Sequence, residues 1–264
     1  MRDNTRRNRN IGTAKQGHGQ NNRLRIPSPY LYRDDRFFTE RLVNYEKSLH
    51  AVNGYEFTFV VESLRADCYY PCTREDVAFL LAHIPVTDFG ELRLIIFRQP
   101  KRKEEILSPV WARLKYEYKF ENRYQPAVVL EAFKMTDCLK WPRCLTVDDS
   151  REFERLKKDG HEFIPDKRGY RAPLTPENAR ATQLYRSLPH EFGHYAHYWQ
   201  VVEQPESFDT TKEERYRFYM NSISQSEKEK FAHAYADRLQ TALREEGIIP
   251  FQRKEPDEHT VLSG

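Results

Sequence analysis

The sequence predicts an α+β fold, on three observations. Strand-like apolar patterns are confined to the first half of the chain, and helical periodicity dominates the second. With 264 residues, of which 39% are apolar and 13% aromatic, there is material for one sizeable core.

Taken in order, Phe37 to His50 reads as a helix. Tyr55 to Glu62 reads as a strand, with Phe57, Phe59 and Val61 alternating with Thr58 and Val60. Thr73-Arg74-Glu75-Asp76 caps a second helix running to about His83, because a threonine hydroxyl and an acid three residues on can satisfy each other's backbone N–H groups. Leu92 to Phe97 is apolar enough for a buried strand. Leu114, Tyr116, Tyr118 and Phe120 alternate with Lys115, Glu117 and Lys119, which describes a strand with one wet face. Ala127 to Phe133 follows as the last strand. Asp148 to Leu174 is polar, contains Asp159-Gly160 and Lys167-Arg168-Gly169, and is long enough either to fold over a cleft or to form a passive insertion. The helical half opens with a run from Thr175 to Leu188.

Charge divides the chain differently. The formal charge is +3, but Arg2, Arg6, Arg7, Arg9, Lys15, Arg23 and Arg25 against Asp3 give the first 26 residues +6 and leave −3 for the remainder. Residues 1–30 are expected to be a disordered basic arm, 31–250 a single domain and 251–264 a flexible tail. Such an arm can track the phosphates of a nucleic acid or an anionic membrane surface, or serve only as a solubilising leader. No apolar run of signal-peptide or membrane-spanning length occurs, which makes cytoplasm the expected compartment. The spacings Cys68-x3-Cys72 and Cys138-x5-Cys144 are not those of zinc ribbons. They suit reduced thiols, with a structural zinc joining the two pairs and a disulfide as the alternatives.

The most specific chemistry lies in Pro189-His190-Glu191-Phe192-Gly193-His194-Tyr195, an HExxH pentad. Positions four apart on a helix stand one above the other, so His190 and His194 can reach a single ion about 2 Å from each ring. Glu191, projecting to the side, can then accept a proton from water activated by that ion. The alternative is an amphipathic helix with solvated histidines, although Tyr195, Ala196, Tyr198 and Trp199 make the neighbourhood poorly solvating. A histidine–glycine–histidine extension is excluded, since 197 and 200 hold His197 and Gln200. Downstream, Glu229, Ala232, Ala236 and Asp237 share one helical stripe, and its alanines permit close approach to another helix.

These two segments, His190 to His194 and Glu229-Lys230-Phe231-Ala232-His233-Ala234-Tyr235, resemble the gluzincin metallopeptidases. The compact enzymes like anthrax lethal factor and the Pro-Pro endopeptidases are most similar, and the ImmA/IrrE type comes second. The resemblance covers about residues 175 to 246. It implies a zincin-like fold, with a small mixed sheet over the HExxH helix and Ala127 to Phe133 as the edge strand along which a protein or peptide substrate lies. It also implies one catalytic Zn2+ held by His190, His194 and Glu229, with Glu191 as general base. Glu229 has a second reading, as the acid of a capping box opened by Ser226. The oxyanion-binding tyrosine that the resemblance implies seven residues before the glutamate is Ser222 here, leaving Tyr219, and after it Tyr216, as catalytic phenols. His197 and His233 are open as ligand-supporting groups, transition-state donors or structural histidines. The function expected is zinc-dependent peptide-bond hydrolysis. The alternative is a regulatory or nucleic-acid-binding module with a structural or vestigial metal and a working basic arm.

Overall fold

In the computed structural model of the protein, the described residues are 40–101, 110–205 and 209–255. The basic arm expected over 1–30 lies outside them, as does the tail beyond 255. The fold is α+β, with a five-stranded mixed sheet followed by helices that dominate the C-terminal half. Among the described residues, no helix is long and apolar enough to cross a membrane.

Strands β1 (Tyr45–Val52) and β2 (Tyr55–Glu62) form an antiparallel hairpin, paired without a break from Tyr45↔Glu62 to Val52↔Tyr55. Asn53 and Gly54 join them with φ of 50° and 81°, the left-handed pair that a two-residue hairpin turn requires. The helix expected over Phe37 to His50 is therefore corrected to a strand beginning at Tyr45. Its helix-like spacing yields to an eight-pair ladder on β2, whose Phe57 and Phe59 are fully buried.

A short β3 (Cys68–Tyr69) precedes α1 (Arg74–Leu81), which carries the expected box of Thr73 and Asp76 and buries Val77, Leu80 and Leu81. Strand β4 (Leu94–Arg98) is buried throughout and lies parallel to β2. β5 (Ala112–Phe120) and β6 (Arg123–Glu131) close the sheet in the order β1-β2-β4-β6-β5. The edge expected at Ala127 to Phe133 is thus an interior strand. Six consecutive buried residues from Pro126 to Glu131 need cover on both faces and a neighbour on each side, whereas the half-wet pattern of β5 suits an edge. A bulge between Lys115 and Tyr118 breaks the β5 register. It turns Tyr118 and Phe120 to one face of the sheet, while Leu114 packs on the core of the other face, and Tyr116 meets Tyr198 and Tyr219 there.

After β7 (Phe133–Lys134), which pairs with β3, the polar segment proves to be structured. β8 (Cys138–Pro142), α2 (Val147–Lys158), β9 (Ile164–Pro165) and β10 (Gly169–Pro173) build a second sheet with a core of Phe133, Leu139, Leu156, Ala172 and Leu174. Next, α3 (Pro176–Arg180) runs through a π-helical stretch, Ala181–Ser187, into α4 (Leu188–Tyr198), and a second π-helical stretch follows over Trp199–Glu203. α5 (Lys212–Asn221) and α6 (Gln225–Glu245) complete the chain. α4 sinks Leu188, Phe192, Tyr195 and Ala196 into the main core beside Phe57, Phe97 and Val128, which fixes the HExxH face toward β5. Burial of Phe192 alone stabilises by about 2–3 kcal/mol.

Residues 251–255, expected as the start of a loose tail, are pinned. Buried Asp76 accepts from the Lys254 N–H at 2.9 Å and from Nε and Nη2 of Arg180, and Thr73 donates to the Lys254 carbonyl at 2.7 Å. The four cysteines are free thiols, and Cys72 donates to Gln183 at 3.2 Å.

One buried histidine gives the fold a pH dependence. His161 bonds the Thr182 hydroxyl at 2.8 Å, and Thr182 donates to Asp159 at 2.9 Å. Burial lowers its pKa from 6.5 to about 4, ahead of the opposing influence of Asp159 and the reinforcing one of Arg186. The unfolded chain therefore takes up this proton first. Stability falls from about pH 6.5 down to about pH 4 and then levels, by up to ~3 kcal/mol from this group. Urea midpoints across that range should fall more steeply for the wild type than for His161→Gln, and superimposable pH profiles would remove His161 as the cause.

Candidate metal centre

α4 and α6 cross where Gly193 faces Ala232. A Cβ on Gly193 would lie 3.0 Å from both the Cα and the carbonyl oxygen of Ala232 and 2.9 Å from the Cβ of Tyr235. The missing side chain and the alanine stripe set the approach distance, which in turn carries Glu229, one turn before Ala232, to the histidines of the other helix. Gly193→Ala should therefore destabilise the fold by about 1–3 kcal/mol and loosen the cluster, because backbone cannot yield as a flexible side chain does. Calorimetry with metal analysis checks this, and an unchanged unfolding temperature with full metal content would show that the crossing absorbs a methyl group.

The donor atoms converge. His190 Nε2 lies 3.1 Å from His194 Nε2 and 3.3 Å from Glu229 Oε2, and His194 Nε2 lies 3.6 Å from Glu229 Oε1. Ligands about 2.0–2.1 Å from one tetrahedral ion stand about 3.3–3.4 Å apart, and each of these separations is near that value, the two to Glu229 ending on different oxygens of its carboxylate. Contacts from His190, then His194, hold the Glu229 carboxyl well below the usual range, and Gln225 donates to its Oε1 at 2.7 Å. The capping role considered for Glu229 is corrected: the box that opens α6 is Ser224 with Glu227, which leaves Glu229 to the histidines.

Glu191 lies beside this face. Its Oε2 accepts the Leu114 N–H of β5 at 2.6 Å, so helix and edge strand are joined at the pentad's carboxylate. Burial raises its pKa, against the pull of His190, His194 and that N–H.

His233 also belongs to the cluster. Ligand atoms of His190, Glu229 and His233 lie within 4.8 Å of one another, and the His190 and His233 rings are 4.4 Å apart. Arg155 donates to His233 Nε2 at 3.4 Å, whereas the Nε2 atoms of His190 and His194 lie 3.1 Å apart. Burial, then His190 and Arg155, lower the His233 pKa to about 4. His197 stands apart, stacked on Phe231 at 4.3 Å.

Tyr219 is fully buried and does not face the cleft. Its hydroxyl is 3.1 Å from that of Tyr116 and 3.4 Å from the His194 carbonyl. Tyr216 lies against Tyr198, partly exposed. The phenol at the cleft is Tyr116 of β5, whose pKa burial raises. Two cavities flank the donors. One of about 500 Å³ is bounded by β5, Tyr116, Met220 and Lys228, and one of about 250 Å³ by Trp111, Arg186, Ser187 and His233. Tyr116, Lys228, Arg186 and the Leu114 N–H have no motif in the sequence. The half-wet pattern of β5 was the sole signal pointing to one of them. Comparison with protein-family models, with curated proteins and with solved structures finds no match to this chain.

Proposed function

We propose that the chain is a zinc-dependent peptide hydrolase of gluzincin type with a zincin-like fold. The observation that carries this reading is the convergence of His190, His194 and Glu229, whose nearest donor atoms are pairwise 3.1, 3.3 and 3.6 Å apart. Two neutral imidazoles and a carboxylate are a donor set that suits zinc and leaves a fourth position open. When bound, the ion would lower the pKa of a water toward ~7 and polarise the scissile carbonyl.

The chain's own groups do the rest. Glu191, which lines both cavities, accepts the proton as the water oxygen bonds to the carbonyl carbon, and delivers it to the amine nitrogen as the C–N bond breaks. Tyr116 lines the cleft with its hydroxyl 3.1 Å from that of Tyr219, and would turn its proton from Tyr219 to the oxygen that gains charge. The outer backbone of β5 pairs with an extended peptide and holds the bond over the donors.

The test is metal analysis and peptide-library cleavage on one preparation. One zinc per chain is expected, with cleavage abolished by a chelator and restored by zinc. Cleavage indifferent to the chelator, or full metal content in a His190→Ala/His194→Ala double variant, would overturn the reading.

A further inference from the structure

Lys228 follows Glu227 and precedes Glu229 on α6, yet pairs with neither. Glu227 is engaged by Ser224 at the helix cap, and Glu229 by the two histidines. Lys228 is 8% exposed. Among the described residues, its ammonium has a long 3.5 Å bond to the Met220 carbonyl and lies 4.6 Å above the Tyr219 ring, with no carboxylate in ion-pair reach. A buried cation without an anion is costly, and this one stands in the wall of the larger cavity.

The other charges point the same way. Apart from Glu191 and Glu229, which a divalent ion would balance, the formally charged side chains lining that cavity are Lys115, Lys228 and Arg113, the last of which pairs with Glu131 at 3.4 Å. In the smaller cavity the charge is Arg186. Its Nε donates to Asp159 and its Nη1 to Glu152, while its buried Nη2 has no partner among the described residues. Unspent donors thus stand on both sides of the metal face.

We infer that the cleft selects peptides bearing a carboxylate beside the scissile bond, with Lys228 as its principal anchor. The inference rests on the hydrolase reading and names the substrate class of that site. An Asp or Glu side chain and a free chain end both supply this chemistry. Either would give the Lys228 ammonium the counter-ion that the folded chain does not provide.

The full chain carrying Glu191→Gln and loaded with zinc is offered two random peptide pools, one containing Asp and Glu and one with Asn and Gln in their place. Each pool is made with free and with amidated C-termini. The acidic pool should be retained about tenfold over the neutral one, and Lys228→Met should bring the ratio to about twofold or less with zinc still bound. Because the basic residues 1–26 are present in both proteins, a preference that persists undiminished in Lys228→Met belongs to them and overturns the inference. Should Lys228→Met not fold, Lys115→Gln on the edge strand should still lower the ratio, and an unchanged ratio there counts against the cleft. An amidation effect in the neutral pool assigns the carboxylate to the chain end, and its absence assigns it to side chains. A parent that binds no zinc removes both readings, whereas a zinc-loaded parent that retains the two pools equally removes this one alone.

Discussion

Glu191→Gln is expected to keep its metal and its fold while losing turnover by about 10²–10⁴-fold, the usual contribution of a positioned general base. The amide is nearly isosteric, and its oxygen can still accept the Leu114 N–H that the carboxylate accepts at 2.6 Å, so the junction between α4 and β5 survives. What it lacks is the capacity to take a proton. Burial already raises the Glu191 pKa, the direction that makes a carboxylate a better proton acceptor in the cleft. Single-turnover cleavage by variants of matched metal content checks this, and undiminished cleavage would strip Glu191 of the role.

Glu229→Ala is expected to lower metal affinity by more than about 100-fold, since removal of a ligand should exceed the 10–100-fold cost of losing a group that merely supports one. Helix α6 itself should remain, because its cap is Ser224 with Glu227. That separation supplies the control. Glu227→Ala should lower stability slightly through the weakened cap and leave metal retention untouched. Competition against a chelator of known affinity measures both variants. If Glu229→Ala retains metal like the wild type, a different carboxylate completes the site.

Helix α6, strand β5 and the first hairpin show how far local pattern reaches. A capping box can be read from a serine followed three residues later by an acid, but Ser224/Glu227 and Ser226/Glu229 fit that rule equally well. The docking of α6 on α4 through Ala232 and Gly193 decides between them, because it turns Glu229 toward the histidines. Likewise, the alternating residues of β5 predict a strand, but the bulge after Lys115 sends Leu114 to one face and Tyr118 to the other, an outcome of pairing with β6. Asn53-Gly54 was a legible hairpin signal that outweighs the helical spacing before it.

Short-range chemistry in the chain determined the α+β class, the caps at Thr73 and Thr175, and the one-above-the-other placement of His190 and His194, because each depends on contacts within four residues of sequence. Tertiary structure alone decided which strand lies at the edge, that Tyr116 rather than Tyr219 reaches the cleft, and that Lys228 is buried without a counter-ion. The Tyr116–Tyr219 contact spans 103 positions and the sheet order joins strands that are not consecutive in the chain, and no periodicity along the chain encodes which distant partner a face will meet once close packing has set the distance between two helices.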